Sequence, residues 1–545
     1  MQHFEVIIFV LAILITLLAL ANKMRLTNPI LLVVAGLVLG FIPSLPAVVL
    51  DPDVVFLLFL PPILYDAATR TSWHDFKLEI RPISRLAIAL VFLTASAVAI
   101  TCYFFIPGFT WPLAFVLGAI VSPPDAVATT SITKGLGLNK RVITILQGES
   151  LVNDASALIA YRFAVSAVGT GVFIFWKAGL GFLILAVGGI LAGLVVGYVV
   201  IHIHKRIRDN SIISTSLTLI TPFVSYLVAE HIYASGVLAV VTTGLMISWR
   251  APEIFTYHTR IRNSAVWDTV IFLLNAFIFI LIGLQLPLIL EDLLGYATAD
   301  LIIYGLLVSG VTIVVRIIWI FGAAYIPIGR KRKTQTGTAK PDTWKNVLIM
   351  AWSGSRGVVS LATALAMPFV LSNGDNFPQR SLILFLAFAV ILVTLVIQGL
   401  SLPLLIKLLG VKPDKVHTDE EAKLRLLMAT SVISFIDNDL PDTLNQDVKT
   451  QIKSRYAEVV GYLTNASEIR TKSEMKANKN AISSQLYEAQ SKINTMQRDI
   501  LIGFHKDGSF DQTTIRQLER ELDHEEQELH KNPTILTIQP SSQPK

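Results

Sequence analysis

The sequence predicts an all-α membrane protein: about thirteen transmembrane helices in two inverted six-helix repeats, then a polar, largely helical tail. Composition and the uneven spread of charge are the first two observations behind it. Of 545 residues, 53% are hydrophobic and 15% charged, whereas soluble domains carry about 25% charged residues. Roughly a tenth of residues 1–410 are charged, against nearly a third of residues 411–545. The boundary near Gly410 separates a membrane domain, 1–410, from a tail, 411–545. The third observation is a pair of helix-breaking stretches in corresponding places of the apolar part.

A crossing helix needs about 20 apolar residues. On that rule the spans lie at roughly 4–21, 27–42, 53–68, 83–106, 111–131, 142–168, 178–202, 211–231, 235–249, 266–290, 301–326, 345–370 and 381–408. The first follows "MQHFE" and precedes Lys23 and Arg25. A signal peptide has its basic residues before the apolar run, so this segment reads as a first transmembrane helix. Span 53–68 contains Pro61-Pro62 and reads as kinked or re-entrant. Alternate loops such as "NKMR", "TKGLGLNKR" and "GRKRKTQTGTAKPDTWK" are basic, whereas "IPSLPAVVLDPD" and "EDLLGYATAD" are neutral or acidic. The positive-inside rule then puts the N-terminus outside and the tail in the cytoplasm of a multi-pass protein of the cell (inner) membrane. The net charge of +6 resides in these loops and is a mark of topology rather than of nucleic-acid binding. Cys102 stands alone in an apolar run, with no disulfide partner and no zinc cluster. In the tail, "TIRQLERELDHEEQELH" reads as a solvated amphipathic helix or a dimer contact.

An ionisable side chain inside a span costs about 2.5–3.5 kcal/mol on insertion scales, and its default reading is functional. "GESLVNDASALIAYRFAV", residues 148–165, carries Glu149, Ser150, Asn153 and Asp154. At about 100° per residue these four fall within an arc of roughly 140°. Leu151, Val152, Ala155 and Leu158 make the other side. A carboxylate beside an amide suits two tasks: oxygen coordination of a small hard cation, and protonation in its place. The preceding span reads "GAIVSPPDAVATTSITKG". Pro123-Pro124 removes two backbone donors and breaks the helix in mid-membrane. Such breaks are tolerated where the freed groups face protein or a wet cavity. Asp125 follows at once, with Thr129 and Thr130 as further oxygens.

Arg316, in "VTIVVRIIWIFGA", needs a counter-charge, and Glu149 is the natural one. Arg356, in "SGSRGVVSLATALAMP", marks a second break. The breaks fall in the fifth and twelfth spans, so spans one to six and eight to thirteen form two repeats, as in many secondary transporters. Glu230 and His231 lie near an outer membrane edge, Asp268 reads as the cap of a cytoplasmic helix start, and Gln285 as an interhelical hydrogen-bond former.

"SPPDAVATTSI", "GESLVNDASALIAY", "HIYASGVLAVVTTGL", "FIFILIGLQL" and "SGSRGVVSLATALAMP" come in the order seen in sodium/proton exchangers. Over roughly residues 4–410 the chain resembles the monovalent cation:proton antiporters of the electroneutral Asn-Asp type. The resemblance implies a homodimer with a mobile core and alternating access. It implies Asp154 as the shared cation and proton site, with Asn153 beside it and Ser150 as a further ligand. By the same match Glu149 and Arg316 are a structural ion pair, Asp125 and Thr129 contribute from the broken fifth helix, and Arg356 is the arginine of the broken twelfth. Pro-Pro-Asp-Ala stands here where family members often carry Asp-Pro, which leaves open the oxygen this helix donates. One titrating carboxylate implies one H+ for one Na+, with Li+ and K+ equally compatible with an oxygen site. No enzymatic activity and no cofactor are expected. A sodium-coupled symporter and a cation channel remain as alternatives. The first would need a larger solute pocket, and the second a continuous polar path or a carbonyl filter.

Overall fold

The computed structural model describes residues 32, 35–38, 40, 52–125, 140–170, 175–207, 210–325, 344–371, 374–410, 415–438, 446–463 and 479–531. Among them the secondary structure is helix, with one isolated bridge between Val370 and Asn376. The first span and Thr129 lie outside the described residues.

The chain divides into two units. The first, drawn from Met1–Ile207, Ile213–Arg250 and Asn263–Pro413, holds α1 (Pro52–Arg70), α2 (Trp73–Leu78), α3 (Ile80–Phe105), α4 (Trp111–Val121), α5 (Lys140–Thr170) and α6 (Phe175–Arg206). It continues with α7 (Ser211–His231), α8 (Gly236–Ile254) and α9 (Tyr257–Asp292), apart from their residues 211–212, 251–254 and 257–262, and with α10 (Thr298–Tyr325), α11 (Trp344–Trp352), α12 (Val358–Leu365) and α13 (Arg380–Leu409). Eight of these, α3, α5 to α10 and α13, are long and apolar enough to cross a bilayer. The chain is therefore a multi-pass membrane protein.

α1 continues as helix through Pro61 and Pro62, because a missing donor inside a helix bundle can be compensated by neighbouring helices. One expectation changes. Asp268 is no cap: α9 begins at Tyr257, eleven residues earlier (268 − 257), and Asp268 lies within it. The polar turns before Asn263 continue the helix because their side chains have partners. Arg260 Nη1 donates to Phe255 O at 2.8 Å, and Arg262 Nη1 to Ser211 Oγ at 2.9 Å.

The site is positioned by a core of Leu86, Leu90, Val142, Ile145, Ile320, Val347 and Met350, which joins α3, α5, α10 and α11. In a bilayer such packing stabilises through dispersion and close fit, since lipid is as apolar as leucine. α3 and α13 each contain a π-helical turn, Arg85–Leu90 and Leu395–Gly399.

The second unit is drawn from 208–212, Ala251–Arg262 and Asp414–Lys545. Its helices are α14 (Lys415–Asn438), α15 (Gln446–Leu463), α16 (Lys479–Asp507) and α17 (Gln512–Lys531). Ile515, Leu518 and Leu522 form the apolar stripe of α17 and pack with Leu424, Met428 and Leu501. In water each such side chain contributes about 1.5–3 kcal/mol on full burial. Ion pairs join the helices of this unit: the buried Asp523 accepts from Arg260 and Arg498, and Glu526 from Arg498.

Candidate ion-binding site

Two interrupted helices meet beside α5. α4 ends at Val121, where Pro123 and Pro124 withhold the donors that would continue it. The second interruption, residues 353–357, separates α11 from α12, where Gly354 and Gly357 weaken helix. The breaks cross in close contact. The Asp125 N–H donates to Ser355 O at 2.7 Å. A Cβ on Gly357 would lie 1.6 Å from Asp125 Oδ2, so only glycine fits there.

Breaking a helix leaves carbonyls without donors at its C-terminal end. Arg356 meets that need here. Its Nε donates to Val121 O at 2.9 Å and its Nη1 to Gly354 O at 2.5 Å. Its backbone N–H donates to Thr394 Oγ1 at 3.1 Å, just before the π-turn of α13. A fixed cation thus stands at the negative end of α4, the favourable sign for a helix dipole.

α5 brings its polar arc against this crossing. Asn153 is fully buried, and its Nδ2 donates to Pro124 O at 2.9 Å. Its Oδ1 has no hydrogen-bond partner among the described residues. Asp154 is 6% exposed, and no described residue bonds its carboxylate. Asp125 is its electrostatic neighbour. Ser150 is partly buried on the same helix.

One turn earlier the arrangement differs. Arg316 donates through both terminal nitrogens to Glu149, Nη2 to Oε2 at 3.0 Å, and both residues are 1% exposed. Nη2 also reaches Met350 O at 3.3 Å and Ser353 O at 3.1 Å. Two parallel N–H···O bonds are the strongest form of carboxylate recognition. The pair ties α5 to α10 and to the end of α11.

The chain matches the family described as "Sodium/hydrogen exchanger, transmembrane" over residues 9–408. It belongs to that family. Among similar proteins is an uncharacterised Na+/H+ exchanger of Mycobacterium tuberculosis, 35% identical over 426 residues, 76% of each chain. Another is a sodium, potassium, lithium and rubidium/H+ antiporter of Bacillus pumilus, 33% identical over 77% of this chain and 63% of that one. The sodium proton antiporter MjNhaP1 from Methanocaldococcus jannaschii shares the fold, with a TM-score of 0.58 over 74% of this chain and 99% of that one, at 22% identity. The family is one of transporters, not enzymes.

Two charged clusters of the exchanger bring Asp268 and Glu230, named from the sequence singly, together with residues it left unnamed. Asp66 on α1 is 9% exposed and accepts from Arg70 Nε at 2.8 Å, while Arg70 Nη2 donates to Asp268 at 2.6 Å. Arg162 on α5 donates to Glu230 on α7. The signal for both was present: a carboxylate inside span 53–68, and an arginine within the polar stretch of α5.

Proposed function

We propose that this chain is a secondary antiporter that exchanges Na+ for H+ across the plasma membrane, with Asp154 holding cation and proton in turn. One arrangement carries the reading: a buried carboxylate lies beside a buried, unpartnered amide oxygen, where two broken helices cross. Taking a bare carboxylate out of water is costly, and either a proton or a cation relieves that cost. Asn153 spends its amide nitrogen on Pro124 and keeps its oxygen for the ion. Asp125, Ser150 and Thr129 complete an oxygen set of the kind hard cations take. Li+ and K+ are alternatives for the same donors.

Charge counting supports one-for-one exchange. Glu149, Asp125 and an ionised Asp154 carry three negative charges, and Arg316 and Arg356 two positive ones, leaving one negative charge (−3 + 2 = −1). A single Na+ or a single H+ brings the cluster to zero. The cluster then presents the same charge with either cargo, and the exchange is electroneutral. Thirteen helices in two inverted repeats, a homodimer and alternating access complete the proposal. The tail lies in the cytoplasm, and the role is pH and sodium homeostasis.

The test is exchange in proteoliposomes with a trapped pH dye. Adding Na+, Li+ or K+ outside an acid-loaded lumen should alkalinise it, and Asp154→Asn should abolish the signal. Folded protein that gives no signal with any of the three ions sinks the exchange reading. A current proportional to transport sinks the electroneutral one.

A further inference from the structure

We infer that Arg162 and Glu230 form the outer gate of the exchanger, a charge pair that must part before a cation can pass between the outer solution and Asp154. The inference rests on the exchange reading above. Arg162 is eight residues beyond Asp154 on α5 (162 − 154), about 12 Å along the helix axis at 1.5 Å per residue. Its Nη2 donates to Glu230 Oε1 on α7 at 2.7 Å and approaches Tyr226 Oη at 3.5 Å. Glu230 is held from a third helix as well: its Oε1 accepts the Gly236 N–H, at the start of α8, at 3.2 Å. A Cβ at Gly236 would meet that same oxygen at 2.9 Å and the Tyr226 ring at 2.6 Å. Glycine at this position is what lets the carboxylate reach the backbone.

The pair lines a small cavity beside α5 at residues 158–162, the turns that follow Asp154. Leu158 and Ile159 of α5 and Phe56 and Leu60 of α1 form part of its wall. The space is about 10 Å³, room for about one water molecule. A hydrated cation does not fit in this space. The loop readings put this end of α5 at the outer face.

The pair is built to open. Its side chains are 41% and 29% exposed, against 1% each for Arg316 and Glu149. Parting a partly exposed ion pair costs less than parting a buried one, which leaves an uncompensated buried charge. Their charges also have opposite effects on an approaching cation. Arg162 alone would repel it and Glu230 alone would attract it.

That opposition supplies a test that a merely structural tie would fail. Exchange is measured in right-side-out and inverted membrane vesicles, varying Na+ on the accessible side. Glu230→Gln, which leaves the arginine bare, should raise the KM for outer Na+ threefold or more. Arg162→Gln should lower it by a similar factor. The KM at the inner face should stay at the wild-type value in both. The exchanged pair Arg162→Glu with Glu230→Arg should return the outer KM toward wild type. If a neutral variant is lost from the membrane, Arg162→Lys and Glu230→Asp serve instead. They keep each charge and change its reach, so they should shift the outer KM alone. Shifts of the same sign in the two neutral variants, equal shifts at the two faces, or no shift in variants present at wild-type level would each overturn the gate. Exchange that survives Asp154→Asn would overturn the underlying reading instead.

Discussion

Glu149 and Asp154 lie five residues apart on one helix, both buried, yet their surroundings differ. Glu149 receives two N–H groups from Arg316, which is itself pinned to two carbonyls. Asp154 has no such partner among the described residues; Asp125 is its electrostatic neighbour, and Asn153, next to it in the chain, keeps an unpartnered oxygen. A carboxylate matched by a fixed guanidinium keeps its charge and holds helices together. One left without a fixed cation is available to a movable one. The difference lies in what α10 and the broken helices bring to each position, since α5 itself treats the two alike.

Substitutions can break this comparison at either end. The largest effect on transport is expected from Asp154→Asn: exchange below detection, with wild-type protein in the membrane and an unchanged melting temperature in detergent. Normal transport by that variant would remove Asp154 from the cycle. The largest effect on stability is expected at the other carboxylate. Glu149→Gln or Arg316→Met alone leaves a buried charge unpaired, at about 3–5 kcal/mol. The double variant should be more stable than either single one, as read by thermal unfolding of the purified protein. If the single variants melt like wild type, Glu149 is not the fixed partner proposed here.

A smaller effect is expected where the breaks cross. Gly357→Ala would put a methyl group into Asp125 and force the two interruptions apart, with an overpacking cost of about 1–3 kcal/mol. Transport should fall more than protein level, because the displaced groups are those facing Asp154. The smallest effect lies in the tail, where the solvent is water. Burial pushes the Glu519 carboxyl above the ordinary range, opposed by Arg260 and Arg516 and reinforced by Asp523. The folded state therefore binds this proton more tightly than the unfolded state. Glu519 contributes stability at pH below the ordinary glutamate value and loses it as pH rises through the raised one. Amide-exchange protection of α17 should fall over that window in the wild type. It should be flatter in Glu519→Gln, with a difference below about 1 kcal/mol.

Much of the site was legible in the chain because it is written in local chemistry. Two prolines in an apolar run mark a break wherever they fall in mid-membrane, and "SGSRG" marks another. The helical period alone puts Glu149, Ser150, Asn153 and Asp154 on one arc. Arg316 called for a carboxylate, and few lay within reach of the bilayer interior. Other features were not legible. Asp268 was misplaced because the polar turns ahead of it read as loop, whereas partners off the apolar segment hold them in helix. Arg162 and Glu230 are 68 residues apart, and nothing local in either segment names the other.

The sequence by itself determined the class of protein, the run of apolar helices, the two breaks and the residues that carry charge into the bilayer. All of these follow from hydropathy, periodicity and missing backbone donors, properties of a few adjacent residues. Only the tertiary structure decided which charge is tied and which is left open. It turned the Asn153 nitrogen to Pro124 and left the oxygen free, set Arg356 against the end of α4, and joined Arg162 to Glu230 across α5 and α7. Hydrogen bonds form at about 3 Å between groups distant in sequence, and that proximity exists only after the helices pack.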